Sequence, residues 1–419
     1  NWLSVIYKMK ENYNSARFVM ILPKGEVVTR IGYDNVLYKI SDKIFDDVLV
    51  RSSSGLFLSK KTIMNAKNNG IYLKTIFRAL SVYNELGKKI MPIRIFVEFL
   101  LKIHRKIDSI RHSGSVINIG EKVHKSDVLL YDVHVEGEEQ VEDIFPFFSG
   151  CYKFSICHGI NSRIKDKFLT RRTDSKKLTV FLFSDKLQRK YYRDKFLIPD
   201  EKLLTVGVPK HDAIWIDIIK EQSPSLPNNF NDNGTIVLFS RRVSSYFTKD
   251  MKREHVRGIK KVIVDELGMN LIIKTHPKEY RDSVFDEVLG VDNYGKKWTY
   301  SDLHPFVLGR CKLLSISMST GIAFDMSRLG VPCIEYFNWD DGVDTGYVDS
   351  FGKQVSYRVD LGMAVGVHNE EQLRVIVKEI IENPSKYSTD LIRNYEKYFS
   401  INNNISSKIS SDIMLNAMR

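Results

Sequence analysis

The chain has few cysteines and no long apolar run. Its cysteines, Cys151, Cys157, Cys311 and Cys333, have no CxxC spacing. They lie in or beside apolar, strand-like runs, which favours free buried thiols over a disulfide framework or a metal site and fits a reducing cytoplasm. No uninterrupted apolar stretch approaches the roughly 20 residues that span a bilayer, and the N-terminus lacks a secretory signal pattern. We therefore expect a cytoplasmic protein that is either free in solution or bound peripherally at the inner face of the cell membrane.

Acidic residues are too few to balance the basic ones. Lys and Arg number 63 against 51 Asp and Glu, which gives a formal net charge of +12. Such an excess favours an anionic partner, such as a nucleotide, an acidic glycan, nucleic acid or an anionic lipid. Nucleic acid is disfavoured, because the basic clusters are interspersed with acids and lack the aromatic platforms of single-strand binders.

Length and apolar patterning predict two α/β domains. At roughly 150 residues per domain, 419 residues suffice for two or three. Strand-like apolar runs alternate with helix-length segments; in the first half they lie at 18–22, 47–50, 128–131, 153–157, 179–183 and 203–206. A second series lies at 235–239, 270–274, 313–316 and 333–337. This alternation predicts two doubly wound parallel sheets with a site in the cleft between them.

The domain boundaries are predicted from composition. Proline, serine and asparagine mark residues 223–234 as a linker. The linker separates an N-terminal acceptor domain, 1–222, from a C-terminal nucleotide-donor domain, 235–395. Residues 369–398 have helical periodicity, and 396–419 are predicted as a helical tail that packs back on the N-terminal domain.

Residues 72–111 read as apolar helices studded with basic residues. Basic amphipathic helices can lie on an anionic membrane. The alternative is that their apolar faces pack on the sheet while the basic side chains face water.

The most informative segment is a hydroxyl-rich turn between an apolar strand and a helix. Ser317, Ser319, Thr320 and Gly321 stand where the helix is predicted to begin. A helix N-terminus with free N–H groups and nearby hydroxyls favours an anion. The pattern predicts a phosphate site, although such hydroxyls also serve as simple helix caps.

Two further turns in the second half carry candidate donor-binding groups. An arginine after the strand at 235–239 can form paired hydrogen bonds with phosphate, or can remain solvated. His276 ends the strand at 270–274 and is predicted to bind the donor or to stabilise its leaving group. The candidates in these turns are Ser240, Arg241, Arg242, Lys274, His276 and Pro277.

The candidate catalytic residues lie in the first half. His158 follows an apolar strand, and its pKa near neutrality suits it to take a proton from an acceptor hydroxyl. Asp132 and Glu136 form an acidic cluster that is an alternative base. The acidic pair at 340–341 is better explained by surface solvation than by a divalent metal. We expect no metal site and no required cofactor.

The order of these motifs resembles the CDP-glycerol glycerophosphotransferase family of teichoic acid polymerases. It is also similar to bacterial GT-B glycosyltransferases of capsule and lipopolysaccharide synthesis, including polysialyltransferases and Kdo transferases. The motifs that carry the resemblance are His158-Gly159, 206–212, His276-Pro277, 317–325 and Gly330-Val-Pro332. The resemblance implies a GT-B fold, in which two Rossmann-like domains face a central cleft, and no required metal. It also implies that His158 is the base, that His276 contacts the donor phosphates, and that Ser319 and Thr320 hold the phosphate or nucleotide.

The chain departs from the teichoic acid polymerases at two motifs. Those enzymes usually have an aromatic residue before the His-Gly and a Thr-Trp-Arg-like turn, where this chain has Cys157 and residues 240–242. Their Asp-Tyr-Ser-Ser element appears here as Ser317-Met-Ser-Thr320. These departures weigh against a glycerol-phosphate donor more than against the fold.

The sequence therefore predicts a glycosyltransferase that moves a sugar from a nucleotide-activated donor, CMP- or CDP-linked by preference, to a growing bacterial surface polysaccharide. That polymer would be of the capsule, lipopolysaccharide or teichoic-acid type. Alternatives are a CDP-glycerol or CDP-ribitol polyol-phosphate transferase, a UDP-sugar 2-epimerase and a non-enzymatic polyanion-binding protein. The predicted partners are the nucleotide donor, a glycan or lipid-linked glycan acceptor and an anionic membrane surface, but not nucleic acid.

Overall fold

The computed structural model describes most of the C-terminal half of the chain and shorter parts of the N-terminal half. The described residues are 2–12, 17–22, 35–51, 57–59, 127–131, 148–156, 179–196, 198–226, 230, 234–244, 247–276, 279, 281–309, 313–339, 345–350, 352–399 and 405–418. The predicted basic helices of residues 72–111 lie outside these ranges.

Helices and strands alternate along the described residues. The strands are β1 (Val19–Leu22), β2 (Asp47–Arg51), β3 (Phe57–Ser59), β4 (Val128–Tyr131), β5 (Tyr152–Ile156), β6 (Thr179–Phe183), β7 (Leu203–Thr205), β8 (Thr235–Phe239), β9 (Asn270–Lys274), β10 (Trp298–Tyr300), β11 (Ser315–Ser317), β12 (Cys333–Tyr336) and β13 (Val365–Val367). The α-helices are α1 (Trp2–Asn12), α2 (Asn35–Ile44), α3 (Lys186–Phe196), α4 (Ala213–Glu221), α5 (Lys249–Ile259), α6 (Ser283–Leu289), α7 (Pro305–Leu308), α8 (Ile322–Leu329), α9 (Tyr357–Asp360), α10 (Glu370–Glu382), α11 (Pro384–Phe399) and α12 (Ser406–Met418).

The strands of the first half belong to two small sheets. One has the order β1-β2-β3, with β1 parallel and β3 antiparallel to β2. The other has the order β4-β5-β6-β7, and its last two strands are parallel. Contacts divide the chain into two compact units, one containing most of residues 154–416 and the other most of residues 6–129.

The second half forms a six-stranded sheet with the order β10-β9-β8-β11-β12-β13, and all of its neighbouring strands are parallel. Numbered by appearance, that order is 3-2-1-4-5-6, the order of a doubly wound nucleotide-binding sheet. The direction in which strands are added reverses between β8 and β11. The α/β fold with a doubly wound parallel sheet, predicted from the alternation of apolar runs, is therefore confirmed here.

Helices cover both faces of this sheet because its strands are apolar on both sides. All five residues of β8 are buried, with Ile236 and Leu238 in one core and Val237 and Phe239 in the other. The first core is completed by α5, α6 and α10, and the second by α7, α8 and α11. Near-continuous apolar runs are expected for strands that are buried on both faces.

Most predicted strands agree with the structure, but the strand predicted at 313–316 lies instead at Ser315–Ser317. Two serines fit inside this buried strand because their hydroxyls have partners: that of Ser315 donates to the Pro332 carbonyl at 3.2 Å, and that of Ser317 bonds Thr320. Strands β3, β10 and β13, of three residues each, were not predicted.

The helical segment predicted at 369–398 is two helices, α10 and α11. They are divided at Asn383, whose φ of −131° and ψ of 54° are not helical. Pro384 follows, and proline disfavours helical geometry in the residue before it. None of the helices in the described part of the chain has the length and apolar character needed to cross a membrane.

Candidate functional site

The carboxyl ends of β8 and β11 lie side by side where the strand order reverses. Phe239, the last residue of β8, is paired with Ser317, the last residue of β11. In open α/β sheets, ligands bind outside the carboxyl ends of the strands at this reversal. The turn containing Arg241 follows β8, and the hydroxyl-rich turn follows β11. The structure thus brings two separately predicted motifs to the position where this kind of sheet binds ligands.

Ser319 is the residue on which these two turns meet. It is buried, and its φ of 53° lies in the left-handed region that non-glycine residues rarely adopt. Arg241 donates from Nη1 to the Ser319 carbonyl at 2.6 Å and to its hydroxyl at 3.2 Å. A backbone of this kind costs about 1–3 kcal/mol and persists only where its surroundings hold it. The contacts from Arg241 are part of what holds it.

A second arginine reaches Ser319 from α9. Arg358 donates from Nη2 to the Ser319 hydroxyl at 2.6 Å and from Nε to Glu335 at 2.9 Å. The other Glu335 oxygen accepts from the Trp339 indole N–H at 3.2 Å. Both Arg358 and Glu335 are buried, so each charge depends on the other in the interior. Arg358 was not predicted, although a glutamate inside a buried strand is itself a signal of a buried cation.

The two guanidinium groups are close enough to affect each other's charge. Burial and the positive charge of Arg358 lower the pKa of Arg241 to about 10. Burial also opposes the charge of Arg358, but Glu335 and Tyr357 outweigh it and raise the pKa of Arg358. Both arginines are therefore charged near neutral pH. Because Glu335 balances the charge of Arg358, the net positive charge at this turn is that of Arg241.

The start of α8 completes the site. The Ser317 hydroxyl accepts from the Thr320 N–H at 3.0 Å and bonds the Thr320 hydroxyl at 2.9 Å, so both hydroxyls are engaged within the turn. Gly321 is the N-cap residue and makes no side-chain cap. A Cβ built on Gly321 meets no atom within 4 Å, so the helix begins beside open space. The first N–H groups of a helix have no partner within it and attract anions.

A buried lysine fixes the turn after β8. The Lys252 amine donates to the Arg241 carbonyl at 2.9 Å and forms ion pairs with Asp282 at 2.6 Å and Glu279 at 3.2 Å. The other Glu279 oxygen accepts from the Val243 N–H at 3.1 Å. The Lys252 side chain is 0% exposed, so its charge serves the fold rather than a ligand in solvent. The contacts of Lys252 and Glu279 thus hold the backbone around Arg241 in place.

The other predicted donor-binding residues occupy different positions. Arg242 is exposed, in contrast to Arg241. The N–H of Ser240 donates to the Lys274 carbonyl at 3.0 Å, which joins the ends of β8 and β9. His276 is half-buried, and its carbonyl accepts from the Glu279 N–H at 2.7 Å.

Lys274 also acts on His304, at the start of α7. Burial chiefly lowers the pKa of His304 to about 3, with the charges of Lys210 and Lys274 contributing. Lys274 is thus close enough for its charge to affect the buried, neutral His304, which lies on the side of the sheet that α7 covers.

A second buried polar cluster joins the segment before α4 to α8 and α11. His211 Nε2 lies 2.5 Å from the Asp325 carboxylate, and its Nδ1 lies 2.6 Å from the Tyr395 hydroxyl. Lys210 binds the same Asp325 oxygen at 2.6 Å. Burial lowers the pKa of His211 to about 4, whereas the charge of Lys210 and the hydrogen bond from His211 outweigh burial and lower the pKa of Asp325. His211 is therefore neutral, donating to Asp325 and accepting from Tyr395.

Several predicted site residues lie outside the described residues. They are His158, Asp132, Glu136 and Pro277. Their roles stay predictions. Within the described ranges, no three or more His, Cys, Asp or Glu side chains are grouped to hold a metal ion. Cys151 and Cys333 are buried and are not joined in a disulfide, as predicted for them.

Comparison with known proteins finds similarity only among solved structures. No protein-family model matches the chain, and no curated protein matches it in sequence. The wall teichoic acid polymerase TagF is 14% identical over 64% of this chain and 69% of its own, with a TM-score of 0.42. A putative UDP-N-acetylglucosamine 2-epimerase from Listeria monocytogenes is 11% identical over 95% and 97%, with a TM-score of 0.49. The UDP-GlcNAc 2-epimerase from Methanocaldococcus jannaschii is 17% identical over 69% and 76%, with a TM-score of 0.44. Identities and TM-scores this low do not establish a family for the chain.

Proposed function

We propose that the chain is a glycosyltransferase that binds the phosphates of a nucleotide-activated sugar at the strand-order reversal between β8 and β11. The observation that supports this most directly is the convergence of Arg241 and Arg358 on Ser319, beside the open N-terminus of α8. Guanidinium groups form short, charge-assisted hydrogen bonds with phosphate oxygens. A helix N-terminus adds backbone donors to the same anion.

This arrangement suits a reaction in which a nucleotide is the leaving group. The acceptor hydroxyl oxygen forms a bond to the anomeric carbon, the bond between that carbon and the phosphate oxygen breaks, and negative charge grows on the departing phosphate. Arg241, Arg358 and the N–H groups of α8 are fixed in place before the reaction and would stabilise this charge. The acceptor proton would pass to a base, for which His158 and the acidic pair Asp132 and Glu136 are the candidates.

The proposed substrates follow from the resemblance of the motifs. The donor would be a CMP- or CDP-linked sugar, and the acceptor a growing bacterial surface polysaccharide. The positive excess of the whole chain is compatible with an anionic donor and with an anionic membrane surface that presents the acceptor.

Calorimetric titration with CMP, CDP, UDP, GDP and ADP tests the donor site. Two adjacent arginines provide a matched pair, because Arg241 contacts Ser319 whereas Arg242 is exposed. Hydrogen bonds to charged groups are worth roughly 1.5–3 kcal/mol, so we expect Arg241→Ala to weaken nucleotide binding about 10- to 100-fold. Arg242→Ala should bind as the wild type does. Absence of nucleotide binding by the wild type, or equal binding by both variants, would refute the proposed site.

Product analysis separates the transferase from its alternatives. The purified chain is incubated with nucleotide-activated donors, with and without polysaccharide acceptor. Transfer of labelled sugar to polymer supports the proposal. Label transferred from the donor phosphate would show a polyol-phosphate transferase, and epimerisation of a free UDP-sugar without acceptor would show a 2-epimerase. Strongly salt-dependent binding to polyanions without any turnover would indicate a non-enzymatic protein.

A further inference from the structure

A groove of about 760 Å³ opens between α5 and α10, and Ser319 does not line it. Its floor is formed at the carboxyl ends of two strands: Tyr336 and Asn338 come from the end of β12, and His368 follows β13. Volumes of roughly 300–1,000 Å³ are typical of sites for small molecules. The phosphate site does not use these residues.

The groove depends on two unusual features of the helix that forms one wall. Residues Lys260–Glu266, which continue α5, are π-helical, a rare conformation that is frequent at functional sites. Gly258 has no side chain, which allows β12 and α10 to lie close to α5. A Cβ at this position would lie 2.5 Å from the Tyr336 hydroxyl and 3.1 Å from Glu370 Cγ. Lys261 pairs with Glu370 at 2.6 Å and connects the π-helical segment to α10.

His368 is the most informative residue that lines the groove. Its side chain is 10% exposed, and its Nε2 lies 3.2 Å from the Asp349 carboxylate. Its Nδ1 is buried and has no hydrogen-bond partner among the described residues. A carboxylate partner on one ring nitrogen places the proton there, so the Nδ1 lone pair is left as an acceptor. A buried acceptor without a donor is unfavourable, and a ligand that donates a hydrogen bond would satisfy it.

The charges around the groove cancel. Its lining includes three cations, Arg257, Lys261 and Arg374, and three carboxylates, Glu254, Glu370 and Glu371. The groove therefore has no net preference for an anion or a cation when its histidines are neutral.

The N-terminus of α10 is capped by its own N-cap residue and carries acidic side chains, which disfavours an anion at this end of the groove. The Asn369 side chain accepts from the Gln372 N–H, and two glutamates occupy the first turn of the helix. Sugar hydroxyls both donate and accept hydrogen bonds, and they match a lining that offers carboxylates, guanidiniums, amides and an imidazole acceptor.

The groove lies on the same edge of the same sheet as the phosphate site. Strand β12 is the neighbour of β11, and β13 is the neighbour of β12. Neighbouring strands are roughly 4.8 Å apart, so the groove begins about 5–10 Å along the edge from the end of β11. Glu335 belongs to β12 and, through Arg358, contacts Ser319. One extended ligand is therefore able to reach both positions.

We propose that this groove binds a stretch of neutral glycan and that His368 Nδ1 accepts a hydrogen bond from one of its hydroxyls. The role of the groove as a holding site for the acceptor polymer rests on the proposed function. The binding of glycan by the groove does not depend on that function.

Two substitutions of His368 separate its ring nitrogens. His368→Gln keeps a donor near the position of Nε2, facing Asp349, and removes the Nδ1 acceptor. His368→Asn keeps a polar atom near Nδ1 and loses the Asp349 contact. The full chain is titrated with maltotriose and tri-N-acetylchitotriose and is applied to an array of neutral and acidic bacterial glycans. We expect the wild type to bind neutral glycans and His368→Gln to bind them about tenfold more weakly or worse.

The melting temperature and nucleotide binding of each variant provide the controls. His368→Gln should melt and bind nucleotide as the wild type does, whereas His368→Asn should melt lower and retain more glycan binding than His368→Gln. The proposal is overturned if the wild type binds no neutral glycan at millimolar concentration, binds only acidic glycans, or binds equally after His368→Gln. Failure of the wild type to bind nucleotide while it still binds glycan would refute the proposed function and leave the groove assignment standing.

Discussion

Ser319 allows backbone strain and hydrogen bonding to be measured separately. Its φ is 53°, and its hydroxyl accepts hydrogen bonds from Arg241 and Arg358. Ser319→Ala and Ser319→Gly both remove that hydroxyl. Only the glycine variant also removes the penalty of a side chain in the left-handed region, because glycine adopts positive φ freely.

The two effects have different sizes. A hydrogen bond to a charged group contributes roughly 1.5–3 kcal/mol, so we expect Ser319→Ala to lower the free energy of unfolding by about 2 kcal/mol. Left-handed geometry costs a residue with a side chain roughly 1–2 kcal/mol. Glycine recovers that penalty, but its greater freedom in the unfolded chain offsets part of the gain. Ser319→Gly should therefore be more stable than Ser319→Ala by about 1 kcal/mol and less stable than the wild type.

Urea unfolding followed by circular dichroism measures these differences, provided that the slopes with denaturant agree among variants. Ser315 supplies a control, because it is buried in β11 and has the extended backbone of a strand. There the order should reverse, with Ser315→Gly less stable than Ser315→Ala, since glycine weakens a strand interior. If Ser319→Gly is no more stable than Ser319→Ala, the backbone at Ser319 is not strained and the reasoning is wrong.

Three further predictions concern the charges and the helix start. Burial lowers the pKa of His211 to about 4 from 6.5 in the unfolded chain, so the unfolded chain binds the additional proton first as pH falls. Burial lowers the pKa of His304 to about 3, so that histidine adds a loss of similar size. The free energy of unfolding should then fall by roughly 4–6 kcal/mol between pH 7 and 4.5, and His211→Gln should remove about half of this dependence in urea unfolding; an unchanged dependence would exclude His211 as a source. Glu335→Gln leaves the buried Arg358 without its counter-charge and should destabilise the protein by about 3–5 kcal/mol, whereas Glu287→Gln, in a surface pair with Arg253, should leave stability nearly unchanged; similar losses would contradict the buried pairing. Gly321→Leu should leave the melting temperature nearly unchanged, because the site is open, but should weaken nucleotide binding in calorimetry; normal affinity would exclude the start of α8 from the phosphate site.

The second sheet could be predicted because its central strands are apolar over their full length. The runs at 235–239 and 270–274 became β8 and β9 with the same bounds. Parallel strands that are buried on both faces need such runs, so the pattern in the sequence and the burial in the structure have one cause. The turns that follow strands could be located for the same reason, because they begin where the apolar runs end.

The partners of the site residues could not be predicted in this way. Arg358 contacts Ser319 across 39 positions of the chain, and Tyr395 contacts His211 across 184. Nothing local in the sequence distinguishes Arg358 from an exposed arginine in a helix. The segment containing His211 was singled out only because it resembles a family motif. Its buried contacts depend on Asp325, which the sequence shows only as one residue of a predicted helix.

The hydroxyl-rich turn shows where a local pattern stops being informative. Its position at a helix start was predicted correctly, since Gly321 precedes α8. Its chemistry is divided among residues that look alike in sequence: the Ser317 hydroxyl is bonded within the turn, and the Ser319 hydroxyl accepts from two arginines. Both hydroxyls are thus engaged before any ligand binds, and the donors directed toward an anion would be guanidinium and backbone N–H groups. A phosphate that binds here would have to compete with Ser319 for Arg241 and Arg358, so the strained serine sets how readily the two arginines are released to the ligand.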